Sequence, residues 1–417
     1  MQMTLSDWQR AAGPGLLFSG SAIGISHLVQ STRAGAMFGL GLLGVILFVN
    51  IIKYPAFRFG MDYAHATRKT LIGGYRELGP WALVLYILMV LAIGPIGLAA
   101  VSATTAAIFA ALTGVNLSIA LLTSIAIAAT VTLLMIVGYS WLDQLNKLLI
   151  AFLTIATITA TVLVLPRVKW GSLGNFDWSI DPLGLLFVVA LAGYMPNAMG
   201  SSVALSLWTL QSQEDEAESE HLPIGAMRAG FLTSYGLTAI LALCFCIMGA
   251  GVMHSAGVAP ETGAAVLASQ IIDLYRETLG PVPAMLAAIS ALCVMATTMI
   301  AAFDGGARTL GALHQEYIGN VGRQTSTKGY FVFLLISAAL AIIFLVGAMR
   351  SFSAFIDLVA SISFIAGAAL ALMNHLVMTR CDMPEDARPT RGMRALSLTG
   401  IVIMSTMALM FFVLKLG

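Results

Sequence analysis

Charged side chains are scarce in this chain of 417 residues. Asp, Glu, Lys and Arg make up 10% of the sequence, whereas a typical soluble domain contains about 25%. Hydrophobic residues make up 59%, and the charges lie between long apolar runs. So few charges cannot solvate a globule of this size, which excludes a soluble enzyme, a nucleic-acid-binding protein and a secreted disulfide scaffold. The net charge of +1 provides no field that would steer a charged partner.

Cysteine is also scarce, with four residues in the chain. Cys244 and Cys246 share one apolar segment, Cys293 lies in another, and Cys381 lies in a charged loop. This spacing matches neither a disulfide framework nor a zinc site, and we interpret the four as buried small residues. The first apolar segment lacks a small-residue cleavage site, so we expect it to be retained rather than removed as a signal peptide.

Long apolar runs make up most of the chain, and each is longer than the roughly 18 residues that cross a bilayer as a helix. We therefore predict an all-α, multi-pass membrane protein with eleven spans. The predicted spans are 12–30, 37–57, 80–112, 117–137, 145–165, 183–208, 225–253, 282–303, 330–348, 352–378 and 396–416.

The positive charges predict how the chain is oriented. Most of the 21 Lys and Arg residues fall in loops and ends on the same side as the N-terminus, and Lys53 is counted with the loop after the second span. Because positively charged loops are retained in the cytoplasm, the N-terminus is predicted there. An odd number of spans then places the C-terminus outside. We expect this arrangement in the cell membrane, plasma or bacterial inner.

Two short strings recur in matching order along the chain. Residues 14–18 (PGLLF) open the first span, and residues 182–187 (PLGLLF) open the sixth. Residues 75–80 (YRELGP) precede the third span, and residues 275–281 (YRETLGP) precede the eighth. Internal similarity of this kind is typical of carriers built from two halves.

The recurring strings divide a single transmembrane domain, residues 1–417, into two repeats. The first covers about 12–165 and the second about 181–378, while an extra helix at about 396–416 stands outside the repeat. Five helices per half is an odd number, so the second half enters the membrane from the opposite side. This 5+5 inverted repeat is the geometry of alternating-access carriers.

The first span of each half is weakened near its middle, by residues 20–24 (GSAIG) and residues 193–197 (GYMPN). Proline removes a backbone hydrogen bond from a helix, and glycine lowers the cost of leaving helical geometry. Helices broken at matching positions of two repeats indicate a substrate site halfway through the membrane. For either helix alone, a Gly-rich packing surface or a simple proline kink is the alternative.

Four polar or sulfur-containing side chains near these breaks or deep in other spans are candidates for binding the substrate. His27, beyond Gly24, is either a structural imidazole bonded to a neighbouring helix or a ligand or proton carrier. Asn197 follows the helix-breaking proline directly. Met195 packs in the core or offers a thioether to a soft metal ion. Asp357 lies well inside the tenth span, where a buried carboxylate requires a partner, an ion or a proton.

Two further groups of charges are interpreted as structural. Asp304 and Arg308 are spaced i, i+4 near the end of the eighth span and are predicted to form an ion pair. The acidic run at residues 214–220 is predicted to be a solvated linker.

Two segments resemble the NRAMP family of divalent-metal transporters. Residues 13–17 (GPGLL) are similar to that family's opening of the first helix, and Met195-Pro196 matches the start of its M-P-H motif in the sixth. Eleven spans with an inside N-terminus also agree. The resemblance covers nearly the whole chain and implies the leucine-transporter fold, with a metal site at the unwound centres of helices one and six.

The sequence departs from that family at the motifs that bind metal. Aligned on 13–17, the family's D-P-G-N motif corresponds to residues 24–27 (GISH), so its carboxylate is absent. Asn197 replaces the histidine of M-P-H, and the third span has no ionisable residue for the family's usual proton route.

Met195 is the one characteristic metal ligand that remains, and the resemblance implies backbone carbonyls near Ala22 and Tyr194 as further ligands. A divalent ion would then keep much of its hydration shell or use Asp357. Met195 and Asp357 are therefore the predicted metal ligands. The full set of predicted substrate-binding residues is Ala22, Gly24, His27, Tyr194, Met195, Asn197 and Asp357.

These observations lead to two transport hypotheses and one alternative. The first is a secondary transporter of a divalent cation of the manganese or magnesium class, and the second is the same fold carrying a small organic solute after loss of the metal site. A membrane-embedded enzyme or sensor is disfavoured because no nucleophile-base pair or clustered His and Asp ligands appear. We expect a monomer in the lipid bilayer, no cofactor and no nucleic-acid partner, and a coupling ion is an open possibility.

Overall fold

A computed structural model describes residues 5–137, 139–173, 182–214, 222–261, 269–270, 272, 276, 280–319, 325–348 and 352–416, with the side chains of 352–365 outside the description. The α-helices are α1 (Leu5–Ala22), α2 (Thr32–Phe38), α3 (Leu43–Thr67), α4 (Leu71–Leu78), α5 (Pro80–Thr113), α6 (Ile119–Ile136), α7 (Tyr139–Val164), α8 (Pro182–Tyr194), α9 (Ser201–Glu214), α10 (Ile224–Gly249), α11 (Pro281–Tyr317), α12 (Thr327–Ala348), α13 (Phe352–Arg380) and α14 (Arg391–Leu416). Two π-helical segments, Ile25–Ser31 and Ala250–His254, precede α2 and follow α10.

Within these ranges, eight helices are long and apolar enough to cross a bilayer. The first span is a bent pair with a 44° change of direction, which makes a ninth. The pair α8 and α9, and the long helix α13, correspond to the remaining two predicted spans. The prediction of an all-α, multi-pass membrane protein is confirmed.

The predicted end of the second span, at residue 57, is wrong because α3 continues to Thr67. The sequence predicts the end of the span there because the charged residues Arg58 and Asp62 interrupt the apolar run. In the folded chain, Asp62 is fully buried and accepts hydrogen bonds from Arg58 Nε, 3.0 Å away, and from Arg228 Nε, 3.1 Å away. The carboxylate is thus neutralised inside the bundle, and the helix need not stop.

The predicted end of the eighth span, at residue 303, is wrong for the same reason. α11 continues to Tyr317, past Asp304 and Arg308. These two side chains form the predicted i, i+4 ion pair, with 2.9 Å between Arg308 Nε and Asp304 Oδ2. Because each charge has its partner one turn away, the pair can lie within the helix.

The packing of the helices follows the two halves of the repeat. The first broken span packs against α10, and the second packs against α3. Helix α5 contacts α6 and α13, while α11 contacts α12 and α7. These two contacts of the third span therefore have counterparts made by the eighth, which is the pairing that an inverted repeat requires.

The recurring Gly-Pro dipeptides occupy equivalent places at the start of α5 and α11. Gly79 has φ 125° and Gly280 has φ 92°, a backbone region that favours glycine. Pro80 and Pro281 follow at the first helical position, where the missing N–H costs nothing and φ is already helical. The sequence echo thus marks the same turn into the third and eighth spans.

The first span crosses α10 at backbone-to-backbone distance. A Cβ added at Gly249 would overlap the Thr32 carbonyl oxygen, and one added at Gly35 would overlap the Cys246 carbonyl oxygen. Small residues allow helices in a membrane to approach this closely and gain van der Waals contact. The crossing fixes the half-helix after the first break against α10.

We expect Gly249→Ala to destabilise the protein because the added methyl group would force α10 and α2 apart. The melting temperature of the purified protein in detergent should fall by roughly 3–10 °C. The matched control is Gly236→Ala on the same helix, where an added Cβ meets no atom within 4 Å and should leave the melting temperature unchanged or slightly raised. Equal melting temperatures for the two variants would contradict this close crossing.

Candidate functional site

The first helix break lies between α1, which ends at Ala22, and the π-helical segment that begins at Ile25. Gly24 lies at the bend and is buried. A Cβ at this position would come within 2.6 Å of the Thr298 Oγ1 atom on α11. Glycine is therefore the residue that allows the bend to pack directly on α11.

Side chains satisfy the carbonyl groups that the first break frees. The Thr298 hydroxyl lies 3.0 Å from the carbonyl oxygen of Gly20 and 3.0 Å from that of Ile23, and its single proton is shared between them. The Ser26 hydroxyl lies 2.7 Å from the carbonyl oxygen of Ala22. The break is thus held by neutral hydroxyl groups.

The second helix break lies between α8, which ends at Tyr194, and α9, which begins at Ser201. Lys53 on α3 reaches this break, and its Nζ donates to the carbonyl oxygens of three residues. The distances are 2.6 Å to Ala192, 2.7 Å to Gly193 and 2.7 Å to Met195. The C-terminal carbonyls of a helix have no partner within the helix, so the ammonium caps this end of α8.

The two breaks meet in the centre of the bundle. Asn197 Nδ2 donates to Ser21 Oγ at 2.9 Å, and Asn197 Oδ1 accepts from the Ala198 N–H at 2.8 Å. The Ser26 hydroxyl lies 3.2 Å from the Pro196 carbonyl oxygen. Both spans are therefore interrupted where predicted, and polar groups of one break bond directly to the other.

A cavity of about 290 Å³ opens beside the meeting point of the breaks. It lies between the broken spans on one side and α5, α11, α12 and α13 on the other. Most of its lining is apolar, and no Asp, Glu, Lys, Arg or His occurs among the described residues that line it. Its polar lining residues are Ser21, Ser26, Tyr86, Tyr194, Asn197, Ser201, Trp208, Thr298, Thr309 and Ser337.

Trp208 lines this cavity and is held by a buried carboxylate. Its Nε1 donates to Asp304 Oδ2 at 2.7 Å, and the Tyr330 hydroxyl donates to Asp304 Oδ1 at 2.8 Å. Arg308 completes the network, with Nε on Asp304 and one terminal nitrogen 2.8 Å from Gln211 Oε1. The ion pair predicted from the sequence thus also orients an indole that contacts the cavity.

The structure brings six of the seven predicted substrate-binding residues to the breaks. Ala22, Tyr194 and Asn197 line the cavity. Gly24 forms the bend and is packed behind the lining.

His27 is fully buried and lies outside the lining. Its Nε2 is 3.0 Å from the Thr238 carbonyl oxygen on α10, and because a carbonyl can only accept, Nε2 carries a proton. Its Nδ1 is 2.8 Å from the Ser26 hydroxyl. Both ring nitrogens are engaged by protein groups, which favours the structural alternative for this residue.

The predicted metal ligands do not form a described metal site. Met195 is fully buried, its carbonyl accepts from Lys53, and its sulfur lies 4.0 Å from the Ser31 hydroxyl. The side chain of Asp357 lies outside the described residues. In the part of the chain that is described, no group of three or more His, Cys, Asp or Glu side chains could hold a metal ion.

Sequence reasoning missed Lys53, Thr298 and Trp208. Lys53 was counted as a loop charge, although it lies inside the predicted second span, where an ionisable residue is a functional candidate in its own right. Thr298 and Trp208 carried no usable signal, because a threonine or a tryptophan in an apolar span is ordinary. Their roles depend on helices far away in the sequence.

Three solved transporter structures share this fold over nearly the whole chain. A manganese transporter from Eremococcus coleocola has a TM-score of 0.72 at 16% identity, covering 96% of this chain and 86% of its own. MhsT in complex with L-phenylalanine has a TM-score of 0.67 at 14% identity, covering 96% and 98%. Mhp1, a nucleobase-cation-symport-1 family transporter with bromovinylhydantoin bound, has a TM-score of 0.60 at 15% identity, covering 97% and 90%.

These likenesses establish the leucine-transporter fold, with its 5+5 inverted repeat and an eleventh helix, as predicted. The three structural neighbours are transporters rather than enzymes.

No family model matches the chain. In sequence it is 30% identical to the uncharacterized protein PM0681 of Pasteurella multocida, in an alignment of 430 residues that covers 100% of this chain and 95% of that protein. The chain therefore belongs to the same family as PM0681.

Proposed function

We propose that this protein is a secondary active transporter that carries a small organic solute of zero net charge across the cell membrane by alternating access. The N-terminus is cytoplasmic in this proposal. The broken spans, together with α3 and α10, rock against the other helices around the central cavity. The solute binds at the two breaks, in contact with Ser21, Tyr194 and Asn197.

The observation that carries this proposal is the neutral, mostly apolar lining of the cavity. Ligand sites for small molecules are typically apolar clefts with a few well-placed polar groups. A charged solute in this cavity would lose its hydration without meeting an opposite charge among the described lining residues, which costs several kcal/mol. A neutral organic molecule avoids this cost, and a zwitterion lowers it only where the half-helix ends stabilise its two charged groups.

The ends of the half-helices favour a solute with both hydrogen-bond donors and acceptors. The start of α9, at Ser201, borders the cavity and carries the partial positive charge of a helix N-terminus. The end of α1, at Ala22, also borders it and carries the partial negative charge of a C-terminus. An acceptor group of the solute is therefore favoured at Ser201, and a donor group at Ala22.

The position of Lys53 supports the organic solute over the divalent cation. The Met195 carbonyl, one of the groups that could bind a metal, already accepts a hydrogen bond from the Lys53 ammonium. A divalent cation at this carbonyl would have to displace a buried positive charge or bind beside it, and like charges in a low dielectric repel strongly. The manganese transporter among the structural neighbours shares the fold, and the metal it carries is a property of that protein.

The proposal predicts which ligands stabilise the purified protein. Among a panel of neutral and zwitterionic compounds that includes amino acids and nucleobases, at least one class should raise the melting temperature and should also accumulate in proteoliposomes. Manganese and magnesium should neither accumulate nor compete with that solute. Uptake of manganese that saturates and requires the protein would restore the metal hypothesis, and the absence of any transported organic compound would overturn the proposal.

Filling the cavity should abolish solute binding while the protein stays folded. An added Cβ at Gly97, which lines the cavity, meets no atom within 4 Å, so in Gly97→Leu the new side chain should project into the space that the solute needs. We expect at least a tenfold loss of affinity, about 1.4 kcal/mol, in the thermal-shift titration.

The matched control is Gly44→Leu, at an exposed position of α3 outside the cavity where an added Cβ also meets no atom within 4 Å. Both replacements favour the helix over glycine, so both proteins should fold. Equal affinity in the two variants would show that the solute binds elsewhere.

A further inference from the structure

Carriers built from broken helices often hold a cation at the C-terminal end of a half-helix. The unpaired carbonyl oxygens and the negative end of the helix dipole both favour a positive charge there. In this chain, that position at the end of α8 is taken by a side chain. We propose that the Lys53 ammonium is the resident cation of the second break, covalently tethered in place of an exchangeable ion at the carbonyls of Ala192, Gly193 and Met195. This inference deepens the proposed function and rests on it for its role in transport.

The number and direction of the bonds fit an ammonium group. An ammonium has three N–H donors and no acceptor, and each donor of Lys53 has one carbonyl oxygen at 2.6–2.7 Å. Mg²⁺ requires oxygen ligands at about 2.0–2.1 Å, which is shorter than the 2.6–2.7 Å between Lys53 Nζ and the three carbonyl oxygens. The three oxygens as arranged around Nζ therefore match a larger cation such as an ammonium.

The positive charge of Lys53 has no described carboxylate beside it. Along α3, the next charged residues are Arg58 and Asp62, and the Asp62 carboxylate pairs with both Arg58 and Arg228. The contact from α10 to this part of α3 is uncharged: the Tyr235 hydroxyl donates to the Asn50 carbonyl oxygen at 2.7 Å. Within the described side chains, no Asp or Glu forms an ion pair with Lys53, so the three carbonyl dipoles balance its charge.

The bonds of Lys53 also couple two moving parts of the carrier. The side chain is only 3% exposed, and it joins α3 to the end of α8 by three hydrogen bonds. A movement of the second broken span must therefore take α3 with it or break all three bonds. An exchangeable ion would impose this link only when bound, whereas a tethered ammonium imposes it at all times.

The test removes the Lys53 side chain and then supplies a small cation from the buffer in its place. We expect Lys53→Ala to lower the melting temperature, measured without any solute, by roughly 5 °C or more, since buried carbonyls lose their partner. Propylammonium chloride should recover most of that loss, because the small cation can enter the vacated space. The choline cation is too bulky to enter this space, so choline chloride at the same ionic strength should not recover the melting temperature.

Two variants and the native protein serve as controls. Lys53→Met keeps the space filled without the charge, so propylammonium should not stabilise it. Lys328→Ala removes a positive charge at an exposed position and should leave the melting temperature unchanged. The native protein should be equally stable in sodium, potassium and choline chloride, and manganese should add nothing.

Three results would overturn the inference. They are a Lys53→Ala protein as stable as the native one, recovery by choline equal to that by propylammonium, or stabilisation of the native protein by sodium or manganese. If Lys53→Ala cannot be purified, the response of the native protein to cations still decides the question. Because no solute is present in these measurements, their outcome is independent of whether an organic solute is found.

Discussion

Backbone groups freed inside a membrane must find hydrogen-bond partners within the protein, and this constraint shapes the centre of the molecule. At the first break, the hydroxyl of Thr298 serves the carbonyls of Gly20 and Ile23. At the second break, three carbonyls at the negative end of α8 converge on one point, where a full positive charge is favoured. Lys53 supplies that charge. The two halves of the repeat thus stabilise equivalent breaks with different chemistry.

In the described part of the chain, three buried charged groups have their partners away from the cavity lining. Lys53 lies behind the second break among carbonyl oxygens, Asp304 lies beyond Trp208 with Arg308 and Tyr330, and Asp62 pairs with Arg58 and Arg228. These networks fix helices against one another and leave the described lining uncharged. The neutral lining is the reason for proposing an organic solute of zero net charge rather than a metal ion, although the fold is shared with a manganese transporter.

The same fold accommodates proteins with different ligands, so the fold alone does not name a substrate. One neighbour is a manganese transporter, another was solved with L-phenylalanine and a third with bromovinylhydantoin. What the fold provides is the meeting of two broken spans next to a cavity. In the proposed function, the side chains that face this point, among them Ser21 and Asn197, decide what is bound.

The sequence by itself determined the membrane class, the approximate places of the spans, the repeat and both breaks, because run length and the effects of proline and glycine act within one segment. It also identified Asn197 from its place in the second break, and the family resemblance implied Tyr194; both residues line the cavity. Tertiary structure decided which groups satisfy those breaks and where charged helices end. The second span was predicted to end too early because the buried Asp62 is paired with Arg228, 166 residues away in the sequence. Pairing across such a distance leaves no local pattern, and only the folded chain brings the partners together.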